Sequence, residues 1–387
     1  MKKSLIFLAL GSVFATAQAA DISVFGGVDT GFMFSHSKVS GESAENTLSM
    51  ESSMNETSSF GIAGSEDLGN GMKVAFHLEN EFASDSGSMA TENKLFDREA
   101  RITLEGGFGA LSFGRMGTLS SATGTYDIVY VVGDSFDGGD NNIFGLTTGD
   151  VYDNMITYQT PEFAGFQVTG QYSLKNDSAE EAGVEGKASA DRYAGIAATY
   201  TLGNLQTVIA YDQMMWGSKE TGANREKDQH NVYLGGNYDF GILKLFAMGQ
   251  YVKGARDFAG TEDFFNEDGA ALQSREGFDG WGLHLGTVMP VAGGDWTVAL
   301  YYADGELDDG TAPDAAGAAP ADVNVDIKFY GITTRYVYPL SEQASLYAGA
   351  GYGERKYDVS ANAGTARYSE SPKEKIGQVY AGLSYVF

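Results

Sequence analysis

The chain has 387 residues, 43% of them hydrophobic and 20% charged, with 52 Gly, 22 Tyr, 23 Phe, 6 Pro, no Cys and a formal charge of −27 at pH 7. So many aromatics exclude a disordered chain, and the lack of thiols excludes a disulfide scaffold or a Cys-ligated metal module. No apolar run beyond the N-terminus approaches the roughly 18 residues of a membrane helix, and the acidity excludes nucleic acid as a partner.

Residues 1–19 read as a secretory signal peptide, leaving 20–387 as one domain. Lys2-Lys3 form the positive start, Leu5 to Ala15 the apolar stretch, and Ala17-Gln18-Ala19 the small-residue cleavage site. The mature chain then alternates with period two. Ile22, Val24, Val28, Phe32 and Phe34 share one parity, with Ser23, Asp29 and Ser35 on the other. Met72, Val74, Phe76 and Leu78 oppose Lys73, His77, Glu79 and Glu81 in the same way. The pattern predicts sixteen strands, near 22–35, 57–66, 72–82, 98–105, 110–116, 154–160, 164–174, 191–202, 205–215, 230–240, 242–253, 278–289, 294–303, 326–338, 343–355 and 376–387. Many exceed the five or six residues of an ordinary strand and match the 9–11 of a tilted membrane strand.

Every second connection is short, such as Asp67 to Gly71, Gly106 to Gly109, Gly203-Asn204 and Gly241. Gly, Asn and Pro supply the turn geometry there. The others, at 36–56, 83–97, 117–153, 175–190, 216–229, 254–277, 304–325 and 356–375, are long, polar and acidic. This asymmetry belongs to an all-β fold, a sixteen-stranded antiparallel transmembrane barrel. An even strand number lets the first and last strands pair, as closure in lipid demands. Aromatics near strand ends, including Phe34, Tyr172, Tyr200, Phe240, Tyr302, Tyr338 and Phe387, are placed to form interfacial girdles. A soluble β-sandwich or propeller is the other reading; strand length and loop asymmetry argue against it.

Several segments resemble the general porins of Gram-negative bacteria, in the β-proteobacterial form. They are Asp21-Ile22-Ser23-Val24-Phe25-Gly26-Gly27-Val28-Asp29, Phe60 to Gly71, Gly107-Phe108-Gly109 leading to Phe113-Gly114-Arg115, Pro161 to Phe166, and Tyr380 to Phe387. The resemblance implies an outer-membrane homotrimer of barrels, each narrowed by an inward-folded third loop. It implies no enzyme activity, cofactor or metal.

The third loop, 117–153, carries Asp127, Asp134, Asp137, Asp140, Asp150 and Asp153 and no Lys or Arg. Read alone, these acids are a solvated loop face. The resemblance instead sets them against a basic ladder on the wall, with Asp134 and Asp137 foremost. Arg98 matches one family arginine; Ser59 and Val151 stand where two others are expected. Lys73 and Arg101 fall on the polar parity and join the expected constriction, while Arg115 matches a subunit-contact arginine. An acidic constriction with a reduced basic ladder favours cations. Tyr385 and Phe387 resemble the terminal signal read by the outer-membrane assembly machinery. Membrane lipid and lipopolysaccharide are the remaining expected partners, with Glu42, Glu45, Glu51 and Glu56 of the first loop as candidate holders of divalent cations.

No Gly-x-Ser-x-Gly or His-Glu-x-x-His motif occurs. His77 lies with Glu79 and Glu81 on one strand face, a pattern open to a bound cation or to a polar lumen lining. The function expected is a general diffusion channel for small hydrophilic solutes and ions. A substrate-selective channel, a surface adhesin or structural barrel, and a barrel hydrolase are the alternatives.

Overall fold

The computed structural model describes residues 21–140, 144–146, 149–179, 183–217, 226–260, 274–312, 321–363 and 366–387. The expected signal peptide lies outside the described residues. Sixteen antiparallel strands form one closed wall: β1 Asp21–Val39, β2 Ser59–Gly69, β3 Met72–Glu81, β4 Glu99–Gly106, β5 Gly109–Gly117, β6 Val151–Gln159, β7 Phe166–Ser173, β8 Arg192–Leu202, β9 Leu205–Met215, β10 Gln229–Asp239, β11 Lys244–Ala255, β12 Phe278–Val291, β13 Gly294–Ala312, β14 Ala321–Pro339, β15 Ala344–Ala363 and β16 Lys373–Val386. Each pairs with its sequence neighbours. β1 closes the wall by pairing with β16 from Gly27↔Val386 to Val39↔Glu374.

The alternating pattern explains the wall. Ile62, Ile102, Phe113, Ile196, Ile209, Leu234, Leu283, Leu300, Ile332 and Leu383 point outward and are exposed. Lipid covers such a surface in a membrane barrel. Their inward neighbours in β4, β5, β6 and β7, such as Thr103, Ser112, Thr157 and Gln171, are buried polar groups.

Three departures from the expected strands have physical causes. The first long connection contains a strand, Glu45–Ser52, that pairs with β1 from Thr30↔Ser52 to Ser37↔Glu45. β1 is thus shared on one flank between that strand above and β2 below, through Asp21↔Ser65 to Gly27↔Ser59. The bend between them turns through Ser53 in the left-handed region, φ 62°, which a non-glycine residue adopts only when held. Buried Asp29 holds it. Its carboxylate accepts the backbone N–H of Met54 (3.1 Å), Asn55 (3.2 Å) and Glu56 (2.9 Å) and the Tyr347 hydroxyl (2.6 Å). Hydrogen bonds to a charged group contribute about 1.5–3 kcal/mol each. Asp29→Ala should therefore cost at least about 3 kcal/mol, lower the thermal midpoint and open residues 53–58 to protease. Unchanged resistance to protease would show that other contacts hold the bend.

The second departure is the height of β13, β14 and β15, which have 19, 19 and 20 residues. The sequence reading ended them near 303, 326 and 355 because apolar parity stops there. The ladder continues because the parity inverts. Below, Leu300, Tyr302, Tyr330 and Ile332 face out. Above, Glu306, Asp326 and Asp358 face out, while Leu307, Val323, Val325 and Ile327 are buried inside with Phe258, Phe278 and Phe329. This half of the mouth is a turret with a water-facing exterior and an apolar interior. A short strand, Ala366–Glu370, continues it by pairing with β15. The third departure is β7, which begins at Phe166 rather than 164 because Ala164 (φ 52°) and Gly165 (φ 85°) form the turn.

Candidate pore constriction

The third loop leaves β5 at Gly117 and folds into the barrel. Its helix, α1 Val129–Gly133, is a single turn. A helix so short is held by packing, since nucleation alone disfavours it. Val129, Tyr130, Phe136, Leu119 and Leu146 are buried against inward residues of the wall, among them Val208, Ala210, Tyr233, Met248 and Tyr301. The Tyr130 and Tyr233 rings meet edge-on at 6.3 Å. Gly133 permits the close approach: a Cβ there would lie 2.8 Å from the Met248 sulfur.

Polar tethers complete the attachment. Asp134 accepts hydrogen bonds from Phe136 N and the Tyr301 hydroxyl, both 2.8 Å. Ser135 N donates to His284 Nε2 at 3.2 Å. Asp140 accepts the Tyr380 hydroxyl (2.7 and 2.8 Å) and the Thr333 hydroxyl, with Arg335 Nη1 3.9 Å away. Asn237 of β10 donates to Val132 O at 2.8 Å, and Ser120 donates to Asp212 of β9 at 3.0 Å.

The loop acids therefore separate into two kinds. Asp134 and Asp140 are buried between loop and wall and act as tethers rather than as charges offered to passing ions, and Asp127 is buried within the loop, where it accepts the Tyr130 N–H at 3.4 Å. Burial pushes the Asp134 carboxyl up to about 7 against the bonds it accepts. Burial also raises Asp127, helped by nearby Asp137, and raises Asp140, opposed by Arg335. Asp137 is exposed, at a left-handed turn of φ 50° before Gly138 and Gly139. Asp150 is exposed, and Asp153 is engaged by Arg115.

The opposite wall is charge-paired. Arg98 donates from Nε to Glu79 (3.0 Å) and from Nη1 to Glu81 (2.5 Å). Arg101 donates to Glu99 (3.0 Å), Thr103 (2.7 Å) and Thr125 of the third loop (2.9 Å). Lys73 Nζ lies 3.1 Å from Glu105. His77 Nε2 sits 3.1 Å from Glu79 and 3.5 Å from Glu99. The β3–β4 register, with Lys73↔Glu105, His77↔Arg101 and Glu79↔Glu99, gathers these groups. His77 is thus one member of a mixed network. Among the described residues no cluster of three or more His, Cys, Asp or Glu is arranged to hold a metal.

Two lumenal arginines escaped the sequence reading. Arg335 of β14 stacks over Phe136 (4.8 Å) and donates to Met54 O at 2.9 Å, joining the third loop to the first. Arg355 of β15 donates to Ala259 O (2.6 Å) and to Glu374 (3.2 Å). Inward parity, opposite to Tyr330, Ile332 and Tyr352, was the signal that could have found both. Arg115 donates to Asp97 O (2.7 Å) and Asp153 (2.6 Å), fixing the root of the second connection.

A closed antiparallel wall with an apolar outer band, crossed inside by a tethered loop, defines a membrane channel with a constriction. The sequence pattern of the family described as Gram-negative porin matches residues 4–358. The chain belongs to that family and is a non-enzymatic porin of the bacterial outer membrane. It is 29% identical to an outer membrane porin protein of Bordetella pertussis, over 92% of this chain and 94% of that one. It is 30% identical to outer membrane porin protein 32 of Delftia acidovorans, over 92% and 90%. Its fold is similar to that of an anion-selective porin from Comamonas acidovorans, with TM-score 0.64, 24% identity, and coverage of 95% and 100%.

Proposed function

We propose that this porin is a general diffusion channel for small hydrophilic solutes that passes cations better than anions. The observation that carries the preference is the pairing of the wall: Arg98, Arg101 and Lys73 each have a carboxylate within 3.1 Å, and Arg98 has two. A neutralised basic ladder leaves little field to recruit anions, while Asp137 is exposed on the third loop. The chain as a whole carries −27. Charges in a narrow zone are screened less than those on outer loops, where the screening length is about 8 Å at physiological salt. In planar bilayers under a KCl gradient, the reversal potential should report preference for K⁺. Asp137→Asn should reduce that preference more than Glu42→Gln with Glu45→Gln. Wild-type preference for Cl⁻, the property named for the Comamonas channel, would overturn the assignment.

The long-loop side is assigned to the cell exterior and the short-turn side to the periplasm, following the usual loop asymmetry of such barrels. Assembly as a homotrimer is supported by the low wall. β2 to β6 have 8–11 residues against 14–20 in β12 to β16. Phe60, Ile62, Ile102 and Phe113 face outward from the low side. Arg115 would serve a subunit contact there by holding the root of the second connection in place.

A further inference from the structure

Outward side chains of β13 to β16 and β1 are layered by height. Leu300 and Ile332, paired across β13 and β14, and Phe34 and Val379, paired across β1 and β16, are exposed apolar groups. Tyr302 and Tyr330, paired across β13 and β14, form an aromatic row. Lysines enter in this aromatic row, at Lys375 and Lys38, and continue into the next position outward, about 6–7 Å higher at two residues per step. Lys328 pairs with Lys356, Lys356 with Lys373, and Lys375 with Lys38.

Five of the chain's lysines thus stand side by side on four strands. All but Lys356 are exposed, and Lys356 is half-buried. Like charges directly opposite across strands destabilise a sheet. Among the described residues, two carboxylates offset them: Asp304, 3.6 Å from Lys328, and Glu354, 3.4 Å from Lys356 and 3.7 Å from Lys375. Lys356 bends back over the Tyr330 ring at 4.7 Å, which points its ammonium toward the aromatic belt. The acids Glu306, Asp326 and Asp358 occupy the layer above, paired strand to strand. Positive charge therefore fills two adjacent rows at the outer edge of the apolar band, Lys328, Lys356 and Lys373 in the upper and Lys375 and Lys38 in the lower beside Glu354 and Tyr330, on a strongly acidic chain.

We propose that Lys328, Lys356, Lys373, Lys375 and Lys38 form a docking surface for the phosphate groups of an outer-leaflet glycolipid, lipopolysaccharide. The aromatic belt fixes the height at which headgroups begin, and lysine is a flexible point-charge partner for phosphate. The inference rests on the outer-membrane placement and orientation and is independent of the channel's ion preference.

The test uses full-length protein in detergent. Binding of purified lipopolysaccharide is compared with binding of the same material after enzymatic dephosphorylation. A variant carrying Lys328→Gln, Lys356→Gln, Lys373→Gln and Lys375→Gln is set against one carrying Lys187→Gln, Lys227→Gln and Lys253→Gln. Wild type and the second variant should bind the phosphorylated form at least tenfold more tightly than the first variant does. Dephosphorylation should reduce wild-type binding to the level of the first variant. Single-channel conductance of the first variant should match wild type, showing that it is folded. Equal binding by the two variants, or wild-type binding indifferent to phosphate, would overturn the proposal. Loss of oligomer in the first variant with glycolipid binding intact would assign the lysines to a neighbouring copy instead. Should the first variant fail to fold, single replacements of Lys328 and Lys375 carry the same comparison.

Discussion

Replacing Asp134 and Asp140 together by Ala should release the third loop, with open-channel noise and mean conductance both rising in single-channel records. The two carboxylates accept bonds from Phe136 N and the Tyr301, Tyr380 and Thr333 hydroxyls, all at buried positions. Leaving a buried donor without a partner costs about 1–3 kcal/mol, so two tethers amount to about 2–6 kcal/mol in sum. At about 1.4 kcal/mol per factor of ten, the undocked population should rise at least tenfold. The Asn pair should behave far more like wild type, since Asn presents an acceptor of the same shape.

Acidity gives a second readout of the same tether. The Asp134 carboxyl is raised from 3.8 to about 7 in the folded loop. A raised carboxyl favours the protonated state, so docking is strongest below pH 4 and weakens as pH climbs toward and through 7. Loop noise should increase between pH 5 and pH 8 in wild type and change little in Asp134→Asn. Records from the Ala pair that match wild type would remove the tethers from the account of the constriction.

Phe387→Ser should reduce assembled protein in the outer membrane at least tenfold and leave chain in the periplasm. Phe387 sits at the seam. Its N–H donates to Gly26 O (2.9 Å) and its carbonyl accepts from Gly26 N (3.1 Å), completing the pairing of last strand to first. Its ring and that of Tyr385 face outward, half-exposed. Moving a Phe ring into lipid contributes only about 1.5–3 kcal/mol, and the backbone pairing survives in Ser. A loss that large in cells would therefore report recognition of the terminal aromatic by the assembly machinery. Two controls separate the causes: Phe387→Tyr should assemble normally, and purified Phe387→Ser should refold in detergent. Normal assembly of Phe387→Ser in cells would refute the recognition role of Tyr385 and Phe387.

Period-two patterning reaches the wall because lipid and lumen impose opposite chemistry on successive side chains. β9 was read at 205–215, and the structure places it at Leu205–Met215. The reading faltered where a strand leaves the lipid, since it followed apolar parity and the turret reverses that parity. The third-loop acids were visible as charges, but burial is not written locally. Asp134 meets Tyr301 at a sequence separation of 167, and Asp140 meets Tyr380 at 240. Pairing of the basic wall was partly legible, because Lys73, His77, Glu79 and Glu81 share one face of one strand. Their partners came from β4 through a register that the sequence leaves open.

Along β13, β14 and β15 the membrane's outer boundary is a change of phase within a ladder that stays regular through it, with no loop or turn to mark it; the β13–β14 register shifts only higher up, between Leu307 and Gly310. Side chains alternate with a period of two, so any shift by an even number of residues keeps every face in place. The turret can therefore gain or lose residues in pairs, moving the rim nearer to or farther from the membrane while Tyr302 and Tyr330 remain at the belt. A single inserted residue just above Tyr330 would do the opposite. It would turn Phe329 toward water and Lys328 into the packed interior. The height of the rim is thus quantised in steps of roughly 6–7 Å, set by strand geometry rather than by loop length.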